Sequence, residues 1–160
     1  MEHSTVKQFT DCFIVSANEG FCEKLGSISN SKTEIKLESP ARSGIFFMLD
    51  ISGQFKRSKD NIIEYKGHLN ISMDQQTCLK ICEKILKVKV TEITYDNLSG
   101  CSELSNLILG RAKHLLNELG YFPKLDIPKV MMANQFQSIL PNKSIPVALD
   151  FQTTCGDIHL

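Results

Sequence analysis

The sequence has no tryptophan, only five prolines, none adjacent, and no excess of either charge, since 18 Lys and Arg offset 18 Asp and Glu. That balance excludes an overall field drawing the chain to nucleic acid or an anionic membrane, so partners must be recognised locally. No stretch approaches the roughly 18 apolar residues of a membrane span. The opening residues, MEHSTVKQFTDCF, lack the basic stretch and uninterrupted apolar run of a secretory leader. A soluble cytoplasmic protein is expected, and 160 residues suit a single compact domain over 1–160 that buries its core without staples.

Paired metal ligands are also scarce. His3, His68, His114 and His159 are scattered. The six cysteines, Cys12, Cys22, Cys78, Cys82, Cys101 and Cys155, sit mostly inside apolar helical patterns, where a free thiol behaves as a small hydrophobe. Cys78 and Cys82, one helical turn apart, could share a metal. Closed zinc sites use four ligands in recognisable pairs, however, and no second Cys/His pair with ligand spacing accompanies them. Reduced thiols packed in the core are the expected state.

What is present is periodicity. From Thr5 to Leu25, Val6, Phe9, Phe13, Ala17 and Phe21 recur at three- and four-residue steps, and Gly26 follows as a stop, which predicts a first helix. KTEIKLES alternates Ile35 and Leu37 with charged neighbours, the period of a strand with one wet face. GIFFMLDISG suits an interior strand, and NIIEYKGHLNISM an antiparallel neighbour. Between them QFKRSKDN, Gln54 to Asn61, reads as a basic, solvated connection longer than a tight hairpin needs.

Asp74 can cap a second helix, whose buried stripe would be Cys78, Leu79, Ile81, Cys82, Ile85 and Leu86. KVKVTEITY fits either a strand or the start of a helix. A long helix is predicted from about Asp96 to Leu119, ended by Gly120 in a left-handed cap. Beyond Pro123, strands are expected in IPKVMMA, SIPVALDFQ and GDIHL, with Pro128, Pro141 and Pro146 at element edges. The order of elements implies an α+β domain, with helices packed on a mainly antiparallel sheet.

On the long helix, Leu104, Leu107, Ile108, Ala112, Leu115, Leu116 and Leu119 share one side at about 100° per residue. Opposite them Ser99, Glu103, Asn106, Gly110, Lys113 and Asn117 form a single ridge. Gly110 is its odd member: a mid-helix glycine costs about 1 kcal/mol relative to alanine and usually permits close approach of another surface. Two explanations are open at this point, a solvated face whose glycine admits a neighbouring element of the same chain, or a surface for an outside partner. E-x-x-N spacing alone does not choose between them.

SGCSELSNLILGRAKHLL, followed by LDIPKVMM, resembles the signature of the CheC/CheX/FliY family of chemotaxis phosphatases: a Ser or Asp, then E-x-x-N, then a Pro a little over twenty residues later. Ser99, Glu103, Asn106 and Pro128 stand at those positions. EYKGHLNISMDQQTCLKICEKIL is similar to the strand and capped helix that precede the signature, and the single E-x-x-N and the chain length are nearest the CheX type. The resemblance runs from near Phe9 to the C-terminus. It implies a CheC/CheX-like α+β fold and hydrolysis of the aspartyl phosphate of a phosphorylated CheY-type response regulator. Asn106 would position the attacking water and Glu103 would pair with the regulator's active-site Lys. Ser99, Gly110 and Lys113 would touch the partner. The Mg²⁺ would come with the regulator, leaving no cofactor or metal on this chain, and subunits would join through their sheets as a homodimer. A non-catalytic module docking a response regulator or flagellar switch component would use the same ridge. A cysteine-based redox or metal sensor would require an exposed low-pKa thiol or a complete ligand set, neither of which the sequence displays. Cys101, two residues before Glu103 on a neighbouring side of the helix, is the thiol whose oxidation could disturb docking.

Overall fold

The computed structural model describes residues 3–26, 28–32, 44–58, 61–132 and 147–160. Along the chain come α1 (His3–Leu25), β1 (Ile28–Lys32), β2 (Ile45–Ser58), β3 (Asn61–Met73), α2 (Gln75–Leu86) and α3 (Ser99–Glu118). They are followed by β4 (Tyr121–Leu125), β5 (Lys129–Met132), β6 (Asp150–Thr153) and β7 (Asp157–His159). The strands form one antiparallel sheet in the order β1-β6-β7-β3-β2-β4, with β5 also paired to β2. The expected α+β class, a mainly antiparallel sheet with long helices packed on it, is the observed one. Among the described residues no helix is long and apolar enough to cross a membrane.

The sheet is organised around the β2–β3 hairpin. Alternation along β2 sends Ile45, Phe47, Leu49 and Ile51 into the main core, while Phe46 and Met48 face the other way and pack with Met131 of β5. Burial on both faces explains the uninterrupted apolar run. The two strands pair from Ile45↔Met73 as far as Ser58↔Asn61. Most of the predicted basic connection is therefore strand, and only positions 59 and 60 lie between β2 and β3. The difference has a physical origin: one face of this end of the hairpin is wet, so Gln54, Lys56 and Ser58 are exposed polar residues. The half-buried Phe55 between them carries the packing, its ring stacked 4.3 Å from that of Tyr121.

Three further expectations are corrected. YFPKL forms β4, which the sequence reading passed over because of Pro123; as the last strand of the sheet it tolerates a residue with no N–H. KVKVTEITY is neither strand nor helix. Its backbone is held instead by side chains, with the Val90 amide donating to Glu83 Oε1 at 3.0 Å and the Asn97 amide group to the Glu92 carbonyl at 3.1 Å. Leu119, placed on the apolar face of α3, lies beyond the helix end and is 45% exposed. KTEIKLES beyond Lys32 falls outside the described residues, while Lys32 itself ends β1, a strand the sequence reading did not identify.

The three helices cover the inner face. α1 buries Phe13, Ala17, Phe21 and Leu25, and Gly26 leaves it with φ of 88°. α3 buries Leu104, Ile108, Ala112 and Leu116, and Gly120 follows it with φ of 85°. Two glycines let the helices cross closely. A Cβ on Gly20 of α1 would lie 2.9 Å from Ile108 Cγ1, and one on Gly100 of α3 would lie 3.2 Å from Cys82 Cα in α2.

Asp74 caps α2 as expected, its Oδ1 accepting the Thr77 amide at 2.6 Å. That amide holds the carboxyl below the ordinary aspartate range. A depressed pKa means the cap's contribution is present above the ordinary value and lost as pH falls through the lowered one. Asp74→Ala should therefore lower stability by about 1 kcal/mol at neutral pH, with the gap from wild type closing in acid. Urea unfolding of both proteins across that range checks it; a gap independent of pH would contradict the capping account.

Candidate active site

Burial of Leu104, Ile108, Ala112 and Leu116, each at most 2% exposed, fixes the rotation of α3 about its axis. By helical geometry the opposite residues must then point outward. Ser99, Glu103, Asn106, Gly110, Lys113 and Asn117 are all exposed, so the predicted ridge exists as one strip. Leu107 and Leu115 lie half-buried at its borders.

The ridge residues differ in how they are held. Ser99 turns its hydroxyl to its own chain, donating to the Asp96 carbonyl at 2.7 Å, in a first turn whose preceding residue Leu98 offers no side-chain cap. Glu103 accepts a hydrogen bond at Oε1 from Lys24 Nζ at 2.6 Å, in the last turn of α1. No local sequence signal marks a partner for Glu103 within the chain; its pairing with Lys24, 79 residues away, depends on the α1–α3 crossing. The hydrogen bond and charge of Glu103 raise the Lys24 ammonium above the ordinary lysine value. About two turns on, Arg111 bonds Glu23, so two ion pairs tie α1 to the flank of the ridge. Asn106, between them along the helix, meets no polar partner among the described residues. Its carboxamide stands in solvent on a backbone anchored by Leu104 and Ile108.

Gly110 separates the two explanations left open by the sequence. A Cβ there would find no atom within 4 Å, so no element of the described chain packs against it. The glycines that do permit close packing are Gly20 and Gly100, which the sequence reading did not single out because they sit among buried residues rather than on a polar ridge. Lys113 continues the strip, exposed, one turn beyond Gly110. Pro128 lies in the link between β4 and β5.

A second cluster lies beneath the start of the ridge. Cys101 Sγ is 3.4 Å from Cys78 Sγ and 3.5 Å from Cys82 Sγ, and all three sulfurs, at most 1% exposed by residue, lie within 4.8 Å of one another. Cys101 thus points into the α2–α3 contact. Its hydrogen bonds to the other two sulfurs, together with burial, hold its proton above the ordinary thiol range, and the same bond lowers Cys82. Three of the histidines lie elsewhere: His68 pairs with Asp50 across β2–β3, His159 with Asp150 across β6–β7, and His114 with Glu118 along α3.

Solved structures share this architecture. CheX in a complex with CheY, BeF3 and Mg²⁺ from Borrelia burgdorferi superposes with a TM-score of 0.71 at 16% identity, over 94% of this chain and 93% of that one. A CheC-like superfamily protein from Shewanella sp. PV-4 gives 0.71 at 20% identity, covering 99% of this chain and 96% of that one. The chemotaxis protein CheX from Desulfovibrio desulfuricans gives 0.68 at 16%, covering 94% and 95%. No curated protein matches the chain. These likenesses show the fold, that of a CheC/CheX-like domain. The family described as Chemotaxis phosphatase CheX matches residues 63–152, more than half of the chain, and the protein belongs to it. The matched stretch contains β3 from Ile63 onward, α2 and the whole of α3 with its ridge.

Because a side chain at position 110 meets open space, Gly110→Ala should stabilise the fold by about 0.5–1 kcal/mol through helix propensity. Gly20→Val should destabilise it, since its Cβ meets Ile108. Denaturant midpoints read both, and destabilisation by Gly110→Ala would mean that the chain itself covers the ridge.

Proposed function

We propose that this CheX-family chain hydrolyses the aspartyl phosphate of a CheY-type response regulator, docking the regulator on the ridge of α3. The observation that carries the reading is the pair Glu103 and Asn106, one turn apart, outward-facing on a helix whose rotation the core has fixed, beside a glycine open to solvent. A similar protein, CheX of Borrelia burgdorferi, was solved in a complex with CheY, and the same class of partner is inferred here.

Phosphoryl transfer relies mainly on positioning and on stabilising charge, so a protein that adds two side chains to a partner's active site can accelerate it. The Asn106 carboxamide both donates and accepts, which lets it hold one water in line with the P–O bond being broken. The water attacks phosphorus, the bond to the aspartyl oxygen breaks, and the regulator's carboxylate and inorganic phosphate are the products. Glu103 pairs with the regulator's active-site Lys. Its bond to Lys24 is compatible with this role, because Lys24 engages Oε1 and a carboxylate has a second oxygen. Gly110 leaves room for the partner's backbone, and Ser99 and Lys113 extend the contact strip towards the two ends of the helix. The Mg²⁺ would belong to the regulator, where it would neutralise charge developing on the phosphoryl group, and no residue of this chain is assigned to hold it. On this reading the protein acts in the cytoplasm as a homodimer joined through its sheets.

Asn106→Ala should lower the catalysed rate of phosphate release by about 100-fold while affinity for the phosphorylated regulator persists. Glu103→Ala should weaken both binding and turnover, since it leaves a partly desolvated lysine on the partner unpaired. Binding isotherms and dephosphorylation time courses of the two variants beside wild type test the roles separately. Unchanged affinity and rate for Glu103→Ala, or an unchanged rate for Asn106→Ala, would overturn the corresponding assignment. Binding without any acceleration by wild type would make the chain a docking module.

A further inference from the structure

We propose that Cys78, Cys82 and Cys101 form a buried three-thiolate site for a soft monovalent ion of the copper(I) class, which fastens the first turn of α3 to α2 beneath the docking ridge. The proposal does not depend on the phosphatase reading. Cys78 and Cys82 stand one turn apart on the face of α2 that meets α3, and Gly100 lets the two helices close until Cys101 reaches both sulfurs. Packing as small hydrophobes accounts for the burial of each cysteine; what the crossing adds is three soft donors from two helices within 4.8 Å of one another.

The ligand count selects the ion. A metal–sulfur bond of about 2.3 Å places three sulfurs of a trigonal plane about 4 Å apart. The observed separations, 3.4 and 3.5 Å within a cluster no wider than 4.8 Å, reach that arrangement by small side-chain movements. Structural zinc takes four ligands, and among the described residues no fourth His, Cys, Asp or Glu joins the group. Calcium and magnesium require oxygen donors, which the cluster does not offer. A soft monovalent ion is selected by thiolates and is satisfied by three of them. On binding, sulfur–metal bonds replace the S–H···S contacts and the thiol protons pass to solvent. Because Cys101 precedes Glu103 by two residues, occupancy would hold the end of the ridge that carries Ser99 and Glu103.

The test is a titration of the reduced, full-length chain with copper(I), without oxygen, against the chromophoric copper(I) chelator bicinchoninate, with zinc(II) titrated in parallel. One copper(I) ion per chain should be withheld from the chelator, with a rise in Tm at one equivalent. Cys82→Ser and Cys101→Ser should lose this retention, whereas Cys22→Ser, which alters an exposed thiol, and Cys155→Ser should keep it. Circular dichroism establishes that each variant is folded. Failure of wild type to withhold copper, equal retention by a folded Cys101→Ser chain, or preferential uptake of zinc(II) would overturn the proposal.

Discussion

Burial of one stripe of α3 against the other helices and the sheet is the constraint from which the rest of the molecule's surface chemistry follows. Leu104, Ile108, Ala112 and Leu116 are at most 2% exposed. Burying a large aliphatic side chain contributes roughly 1.5–3 kcal/mol, more than the ridge's polar groups could gain from rotating the helix. The core therefore decides that Glu103, Asn106 and Gly110 face water, although none of them takes part in it. Rigidity follows from the same source. Asn106 stands free of polar partners among the described residues, yet its Cα is held by buried neighbours on the same helix, so its backbone has little freedom to lose on meeting a partner and only the side-chain rotamers remain to be fixed.

Electrostatics then trims this geometry without supporting it. The ion pairs Lys24–Glu103 and Glu23–Arg111 are partly exposed and add little to stability compared with the apolar stripe. Their effect is directional: they bring the end of α1 alongside the ridge and leave Glu103 with one oxygen engaged. In a chain of zero formal net charge, such local placement is how a partner would be recognised. The thiol cluster under the first turn of α3 shows the same economy, since residues buried for packing on α2 become a ligand set only through the crossing at Gly100.

Legibility in the sequence followed the range of the forces involved. The long helix, its buried stripe as far as Leu116, its exposed ridge, the Asp74 cap and the left-handed Gly120 are set by residues within a few positions of one another, and could be read directly. The family resemblance could be read for the same reason, because its signature is carried mainly on one helix, the strand and helix before it, and a proline shortly after it. Features fixed by distant contacts were not legible. The wet end of the β2–β3 hairpin looked like a loop because only Phe55 marks its inner face. β4 was hidden by Pro123, whose tolerance depends on the strand being at an edge. The pairing of Glu103 with Lys24 and the arrival of Cys101 at Cys78 and Cys82 both depend on helix crossings made possible by Gly20 and Gly100. The periodicity of a single helix carries no trace of them.

The most direct test of the central claim is the yield of inorganic phosphate from a Mg²⁺-loaded, phosphorylated CheY-type regulator of the same cell, supplied in large excess over this chain. The ridge reading predicts that each chain releases many phosphates, at a rate well above the regulator's own decay. An unchanged decay, with the regulator demonstrably bound to the chain, would contradict it.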